Sequence, residues 1–205
     1  MDLNAFPTKG NLMLAKNSLA LAKQGYELMD KKRNILVREL MNLIEEAKTI
    51  QAEIDSTFSQ AYQSLQKANI QTGIHYVQEI ARAIPIEDSV RVKSRSIMGT
   101  EIPLVEHEEE KRQPYYGFYN SSESVDEARE GFLKVKELTI RLSMVENSAY
   151  RLAVNIRKTQ KRANALKNIT IPSYTALVKN ISNALEEKER EEFTRLKVIK
   201  RNMQK

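Results

Sequence analysis

Cysteine and tryptophan do not occur in this 205-residue chain; glycine occurs six times, proline five, and the other aromatics are eight Tyr and five Phe. Without cysteine there are no disulfides, no thiolate nucleophiles and no Cys-ligated zinc, so nothing ties the chain to an oxidising compartment. So few glycines, prolines and aromatics rule out a turn-rich sandwich or a glycine-looped α/β fold. No apolar run approaches the roughly 18 residues of a membrane-spanning helix. The start, Met1-Asp2-Leu3-Asn4-Ala5-Phe6-Pro7-Thr8-Lys9, lacks a basic stretch followed by a long apolar core. The expectation is a cytoplasmic protein with no signal peptide and no membrane insertion. Asn120-Ser121-Ser122, Asn168-Ile169-Thr170 and Asn180-Ile181-Ser182 match the glycosylation pattern, but without a secretory route they read as ordinary polar triplets.

Groups able to do chemistry are equally scarce. His75 and His107 are the only histidines, so no pair stands at helical metal-binding spacing. Glu106, Glu108, Glu109 and Glu110 lack the alternating ligands and central glycine of a calcium loop and read as a solvated loop. Lys9-Gly10 and Arg33-Asn34 belong to no phosphate-cradling motif. No catalytic residue, metal site or cofactor is expected.

What the chain does have is helical periodicity. From Lys9 to about Ala83 there is no proline, and Thr8 after Pro7 is placed to cap a helix. Leu36, Leu40, Leu43, Ala47, Ile50, Ile54, Phe58, Ala61, Leu65 and Ala68 advance in steps of three and four, which is the narrow seam of a coiled coil. Upstream, Leu14, Leu21 and Leu28 keep the seven-residue step. The eight residues from Leu28 to Leu36 and the Ile54 to Phe58 step each add one, so the supercoil is expected to relax there. Between about Ile84 and Tyr119 lie Pro85, Pro103, Pro114, Gly99 and Gly117. Ser89 to Ser94 and Ile102 to Val105 alternate polar and apolar around Met98-Gly99-Thr100, the pattern of a small β-hairpin. From Ser121 the helix signal returns, with Ser121, Ser122 or Ser124 as caps. Its seam is Phe132, Val135, Leu138, Leu142, Val145, Ala149, Leu152, Ile156, Ala163 and Leu166, resuming after Pro172 as Leu177, Ile181, Leu185, Leu196 and Ile199. Pro172 predicts a kink or a break.

The fold expected is therefore all-α: a long antiparallel two-helix coiled coil, on the order of 100 Å from the helical rise, with a short β-hairpin in the connector. The divisions are 1–83 for the first helix, 84–120 for the connector and 121–205 for the second helix. Such a fold buries a stripe and encloses no pocket.

The 33 Lys+Arg and 27 Asp+Glu are unevenly spread: 9 against 9 in residues 1–80, 6 against 7 in 81–120, and 18 against 11 in 121–205. No acid occurs from Asn147 to Leu185, a stretch holding a basic collar at Arg157, Lys158, Lys161 and Arg162. An acidic belt at Glu186 to Glu192 follows, and then a second acid-free basic tail. A solvated coiled-coil face accounts for such runs. Tyr150, Tyr174 and Phe193 are too sparse to stack bases along a phosphate-tracking stripe, so nucleic acid is not an expected partner.

Specific strings add to this. Leu3-Asn4 with Pro7-Thr8-Lys9, Lys158-Thr159-Gln160-Lys161-Arg162-Ala163-Asn164-Ala165-Leu166, Thr170-Ile171-Pro172, and Leu185 through Lys197 resemble the D subunits of the V/A-type ATPases, as do Tyr116-Gly117 and Gly131-Phe132. The resemblance runs in order along essentially the whole chain. Lys161 stands where that family usually has Arg, and Ala163 where Val is common.

The resemblance implies a non-catalytic rotor shaft, peripheral to the membrane. It would stand in the ring of A and B subunits, carry an F subunit on its side, and seat on the funnel-like subunit of the membrane ring. Thr8, Lys9, Arg195, Lys197 and Lys200 are then expected against the A/B ring. Tyr115, Tyr116, Phe118 and Tyr119 near the hairpin are expected at the foot. The competing reading, a scaffold or tethering coiled coil, explains the seams and the length but not the ordered strings.

Overall fold

The computed structural model describes residues 6–86, 89–107, 115–117, 119 and 121–204. In chain order the elements are α1 (Lys9–Thr72), α2 (Ile74–Ala83), β1 (Arg91–Ile97), β2 (Thr100–Glu106), α3 (Glu123–Ala165), a π-helical turn (Leu166–Thr170) and α4 (Ile171–Met203). The fold is all-α with long antiparallel helices and one two-stranded hairpin between them. Two compact units can be distinguished: one of Met1–Ile35 with Ile156–Lys205, the other of Leu36–Asn155.

Thr8 caps α1 as its hydroxyl chemistry suggests: Asn11 N–H donates to Thr8 Oγ1 at 3.2 Å and Leu12 N–H to Thr8 O at 3.0 Å. The seam along α1 differs from the sequence expectation. Leu14, Leu21 and Leu28 are 65%, 68% and 64% exposed, while Ala15 and Ala22, each one residue further on, are buried. Counting back from buried Leu36 in sevens gives Met29, Ala22 and Ala15, so the eight-residue step disappears. The reason is steric: alanines let two helix backbones approach closely, and a leucine one position away points about 100° aside. The Ile54 to Phe58 step resolves likewise. Thr57 is the buried residue, its hydroxyl donating to Glu53 O at 2.7 Å, and Phe58 stacks beside the seam on Tyr62 at 5.6 Å. Heptads are therefore unbroken along α1, and no local relaxation of the supercoil is needed.

In the first unit α1 runs antiparallel to the end of α3 and to α4, with Ala15, Ala22, Thr159, Ala163 and Ile181 buried. Arg33 meets Gln160 and Lys9 meets Glu189. Pro172 does not break the helix: the preceding turn widens to π geometry, and Ile171 N–H donates to Leu166 O, five residues back. That widening places the extra space where the proline ring would otherwise meet the preceding turn. Beyond it Ile181 is buried and Leu177 and Leu185 are half-buried, but Leu196 and Ile199, expected to continue the seam, are 65% and 53% exposed.

In the second unit the larger side chains interlock. Ile50, Ile54 and Val145 form a core flanked by Leu43, Ala47, Phe58, Leu138, Leu142 and Met144. Gly131 allows a close approach, since a Cβ there would lie 2.9 Å from the Ala61 Cβ. The first long helix does not continue to Ala83 as expected. It ends at Thr72, and Gly73, at φ 90°, restarts the chain as α2. The redirection lets Ile80 join Ala68 and Val125 in a second core, with Tyr76, Val77 and Tyr116 packed on it.

The hairpin pairs Arg91 with Glu106 through to Ile97 with Thr100. Met98 and Gly99 both have positive φ, 49° and 73°, the signature of a type I′ turn. Glu106, expected in a loop, is the last residue of β2 and its carboxylate pairs with Lys93 at 2.7 Å. Within this unit the hairpin lies on α3. Asn155 donates from its amide to Thr100 Oγ1, Arg151 donates to Glu101 O at 3.2 Å, and Ile102 is buried.

Candidate partner-binding surfaces

Among the described residues, no group of three or more His, Asp or Glu could hold a metal ion, and no helix is long and apolar enough to cross a membrane. The second unit has an open recess of about 220 Å³ lined by Leu65, Val77, Ile80, Ile84 and Phe132 with Arg129 at its edge. The rest of its lining is apolar except for Tyr116, whose hydroxyl donates to Asp126. What the surface offers is charge and apolar area, the materials of protein contacts.

Charge is strongly divided. The first unit carries 19 of the 33 Lys+Arg and 8 of the 27 Asp+Glu, the second 14 and 19. The collar residues Arg157, Lys158, Lys161 and Arg162 are exposed, while Thr159 and Ala163 between them are buried. The collar is therefore an outward face. Lys9 reaches Glu189 on α4 at 3.1 Å, but the two side chains are 81% and 59% exposed, so the pair contributes little to stability. Arg195, Lys197 and Lys200 lie further along α4, where every described residue from Glu186 to Gln204 is exposed. Thr8 is used as the α1 cap. Of the five residues expected against the ring, the structure thus places Thr8 and Lys9 at the start of α1, beside the second half of α4, and leaves the three cations on an exposed stretch of α4. Phe193, Leu196, Ile199 and Met203 are exposed on the same stretch.

The aromatics expected at the foot separate. Tyr116 is half-buried against Ala68, Ile80 and Val125, and its hydroxyl donates to the Asp126 carboxylate. Burial, followed by that hydrogen bond, raises the Tyr116 pKa above its usual value of 10.0. The Arg129 guanidinium lies 5.0 Å over the Tyr115 ring and 5.9 Å over Tyr116. Tyr119 is 98% exposed. Phe118 lies outside the described residues. The hairpin contacts α3 from Met144 to Asn155, whereas Tyr115 and Tyr116 contact it at Asp126 and Arg129. At 1.5 Å per residue the two groups meet α3 roughly 20 to 40 Å apart.

The sequence reading missed the exposed stripe Leu14, Leu21, Leu28 and Ile35, the last 40% exposed. Its signal was available: two parallel heptad series, one residue out of phase, run along the same helix, and only one can face inward.

The structure thus defines a protein of long antiparallel helix pairs with outward charged and apolar faces, the materials of protein contacts. Residues 11–201 match the family described as the D subunit of ATP synthase. The D subunit of the V-type ATP synthase of Thermotoga neapolitana is 44% identical over 198 residues, covering 97% of this chain and 98% of that protein. The D subunits of the A-type ATP synthases of Thermococcus sibiricus and Pyrococcus furiosus are 37% and 38% identical over 201 residues, each covering 97% of this chain and 94% of the relative. The chain belongs to the family of V/A-type ATP synthase D subunits.

Proposed function

We propose that this chain is the non-catalytic central stalk of a rotary V/A-type ATPase or ATP synthase, coupling ATP hydrolysis or synthesis in a ring of A and B subunits to ion movement through a membrane ring. The observation that carries the reading is the family match across nearly the whole length, joined to antiparallel helices whose two units differ sharply in charge. The protein sits at the membrane surface as part of the complex, without inserting. Its divisions are 1–83, 84–120 and 121–205.

The mechanism needs no chemistry from this chain. An asymmetric helix pair inside a three-fold ring meets each A/B pair with a different side, and the difference in contact energy biases their conformations. By reciprocity, nucleotide-driven changes in the ring turn the stalk. Thr8, Lys9, Arg195, Lys197 and Lys200 face the ring, and the collar at Arg157, Lys158, Lys161 and Arg162 supplies further cationic surface. The F subunit binds the side of the stalk, and the connector with Tyr115, Tyr116, Phe118 and Tyr119 stands nearest the funnel-like subunit. Tyr119, fully exposed, is the described member of that group with the most area to offer.

Purifying the chain from its native membranes and identifying the bound proteins tests the reading: A, B and F subunits are the expected companions. Charge reversal at Lys197 and Lys200 weakens coupling before it abolishes assembly, because such charges tune register and encounter more than affinity. Unchanged coupling and unchanged salt dependence in that double variant would remove the electrostatic part of the proposal.

A further inference from the structure

The seam of α1 has one ionised member. Tyr26, Leu40, Ala47, Ile54, Ala61 and Ala68 repeat in sevens, and the position between Tyr26 and Leu40 is Arg33. Its side chain is 29% exposed, and all three guanidinium nitrogens have partners. One nitrogen donates to Gln160 Oε1 of α3 at 2.9 Å, another meets Asp30 Oδ1 at 2.6 Å, and Nε donates to Asn34 Oδ1 at 3.3 Å. Asn34 in turn donates to Asp30 Oδ2 at 3.4 Å, and Gln160 donates to Asn164 Oδ1 at 2.9 Å. Five polar side chains from two helices are thus joined across a coiled-coil interface.

Their neighbours explain why this matters. In the unit that holds the cluster the buried residues are Ala15, Ala22, Thr159, Ala163 and Ile181, all but the last of them small. Small knobs fill shallow holes and resist sliding weakly, whereas a polar group in a seam is satisfied in one register and stranded in the others. In the second unit Leu36, Ile50, Ile54, Val145 and Leu152 interlock by size.

We infer that Arg33, held by Asp30 and Asn34 and bonded to Gln160, is a register lock: beside the small buried residues of its unit it adds to the α1 and α3 seam a contact that is satisfied in one axial position only. Sliding by one heptad places Arg33 opposite residues that cannot accept its hydrogen bond and leaves a half-buried charge without its cross-helix partner. Axial load on a helix pair acts as shear between the strands, so the lock lets the pair bear load without changing register.

The test uses the full chain, which has no native cysteine. Gly25 faces Leu166, whose Cδ1 is 3.8 Å from the point a Gly25 Cβ would occupy. Gly25→Cys is combined separately with Leu166→Cys, Thr159→Cys and Ser173→Cys, the last two matching slips of seven residues either way. With Arg33 and Gln160 present, oxidation joins the Leu166→Cys pair. With Arg33→Leu and Gln160→Leu added, the crosslinks of the slipped pairs rise roughly tenfold, the effect of losing one charge-assisted hydrogen bond. Glu46→Leu with Arg141→Leu, which removes the 2.8 Å pair of the second unit, leaves the selectivity unchanged. Unchanged selectivity in the first double variant with helix content intact overturns the inference, as does an equal rise in the control. Should that variant lose helix content, Gln160→Glu decides. A carboxylate opposite the Arg33 fork lowers slipped crosslinks below those of the unsubstituted chain, and a rise overturns the lock.

Discussion

At the scale of single residues, what a helix buries was decided here by how closely it must approach its neighbour. Ala15 and Ala22 are buried and Leu14 and Leu21 exposed, the reverse of what hydrophobicity alone suggests. Leu21→Gln is therefore expected to change stability by less than about 0.5 kcal/mol, while Ala22→Leu overpacks the seam by about 1–3 kcal/mol; denaturant unfolding distinguishes the two. Gly131 presents the same constraint. Alanine there gains about 1 kcal/mol of helix propensity but forces its Cβ to within 2.9 Å of Ala61. The clash is with backbone-proximal atoms that cannot swing aside, so Gly131→Ala lowers the melting temperature and adding Ala61→Gly recovers part of the loss. Tyr116 carries a pH dependence. Its folded-state pKa lies above the unfolded value of 10.0, so its contribution is present below pH 10 and is lost as pH rises through the raised folded value. Tyr116→Phe should reduce the alkaline loss of stability seen by circular dichroism. An identical alkaline profile in the variant would contradict that assignment.

At the scale of elements, the long helices and the hairpin were legible because their signals are periodic: sevens along α1 and α3, alternation in β1 and β2. The interruptions were not, because they depend on tertiary fit. Gly73 is one glycine among several in the first eighty residues, and nothing local distinguishes it from Gly25, which stays helical. What selects Gly73 is that turning there lets Ile80 cover Ala68 and Val125. Pro172 was legible as a disturbance, but the π-turn that absorbs it is a rearrangement of the preceding five residues. The hairpin's seat was invisible for the same reason, since Asn155 and Arg151 read as ordinary surface residues of a helix. Its turn gives a sharp expectation. Met98 holds φ 49°, which costs a side chain with a Cβ about 1 kcal/mol or more; Asn tolerates that conformation, so Met98→Asn should stabilise the hairpin, read as slower amide exchange in β1 and β2. Deleting 88–106 should leave the long helices folded, because the described hairpin contacts the flank of α3 at Met144, Arg151 and Asn155 and the Ile50, Ile54 and Val145 core is complete without it, while altering ATPase regulation or docking. Loss of helix content in the deletion would make the hairpin structural instead.

At the scale of the whole molecule, family membership was readable from ordered strings, and the charge division from simple counting along the chain. The candidate contact residues were less legible, because a partner's surface selects among many exposed cations and aromatics. Lys9 already faces Glu189, Tyr116 is built into the protein's own packing, and Arg195, Lys197, Lys200 and Tyr119 are left facing outward. The central claim is that this chain turns within a catalytic ring and that turnover depends on the turning. The most direct measurement introduces one cysteine on the exposed stretch of α4, at Lys197, into a chain that has none. It is paired with a cysteine on the inner surface of an A or B subunit, and ATP hydrolysis by the assembled complex is followed as the disulfide is made and then reduced. The account predicts that turnover stops on oxidation and returns on reduction. Steady turnover at the full rate with the crosslink in place would contradict it.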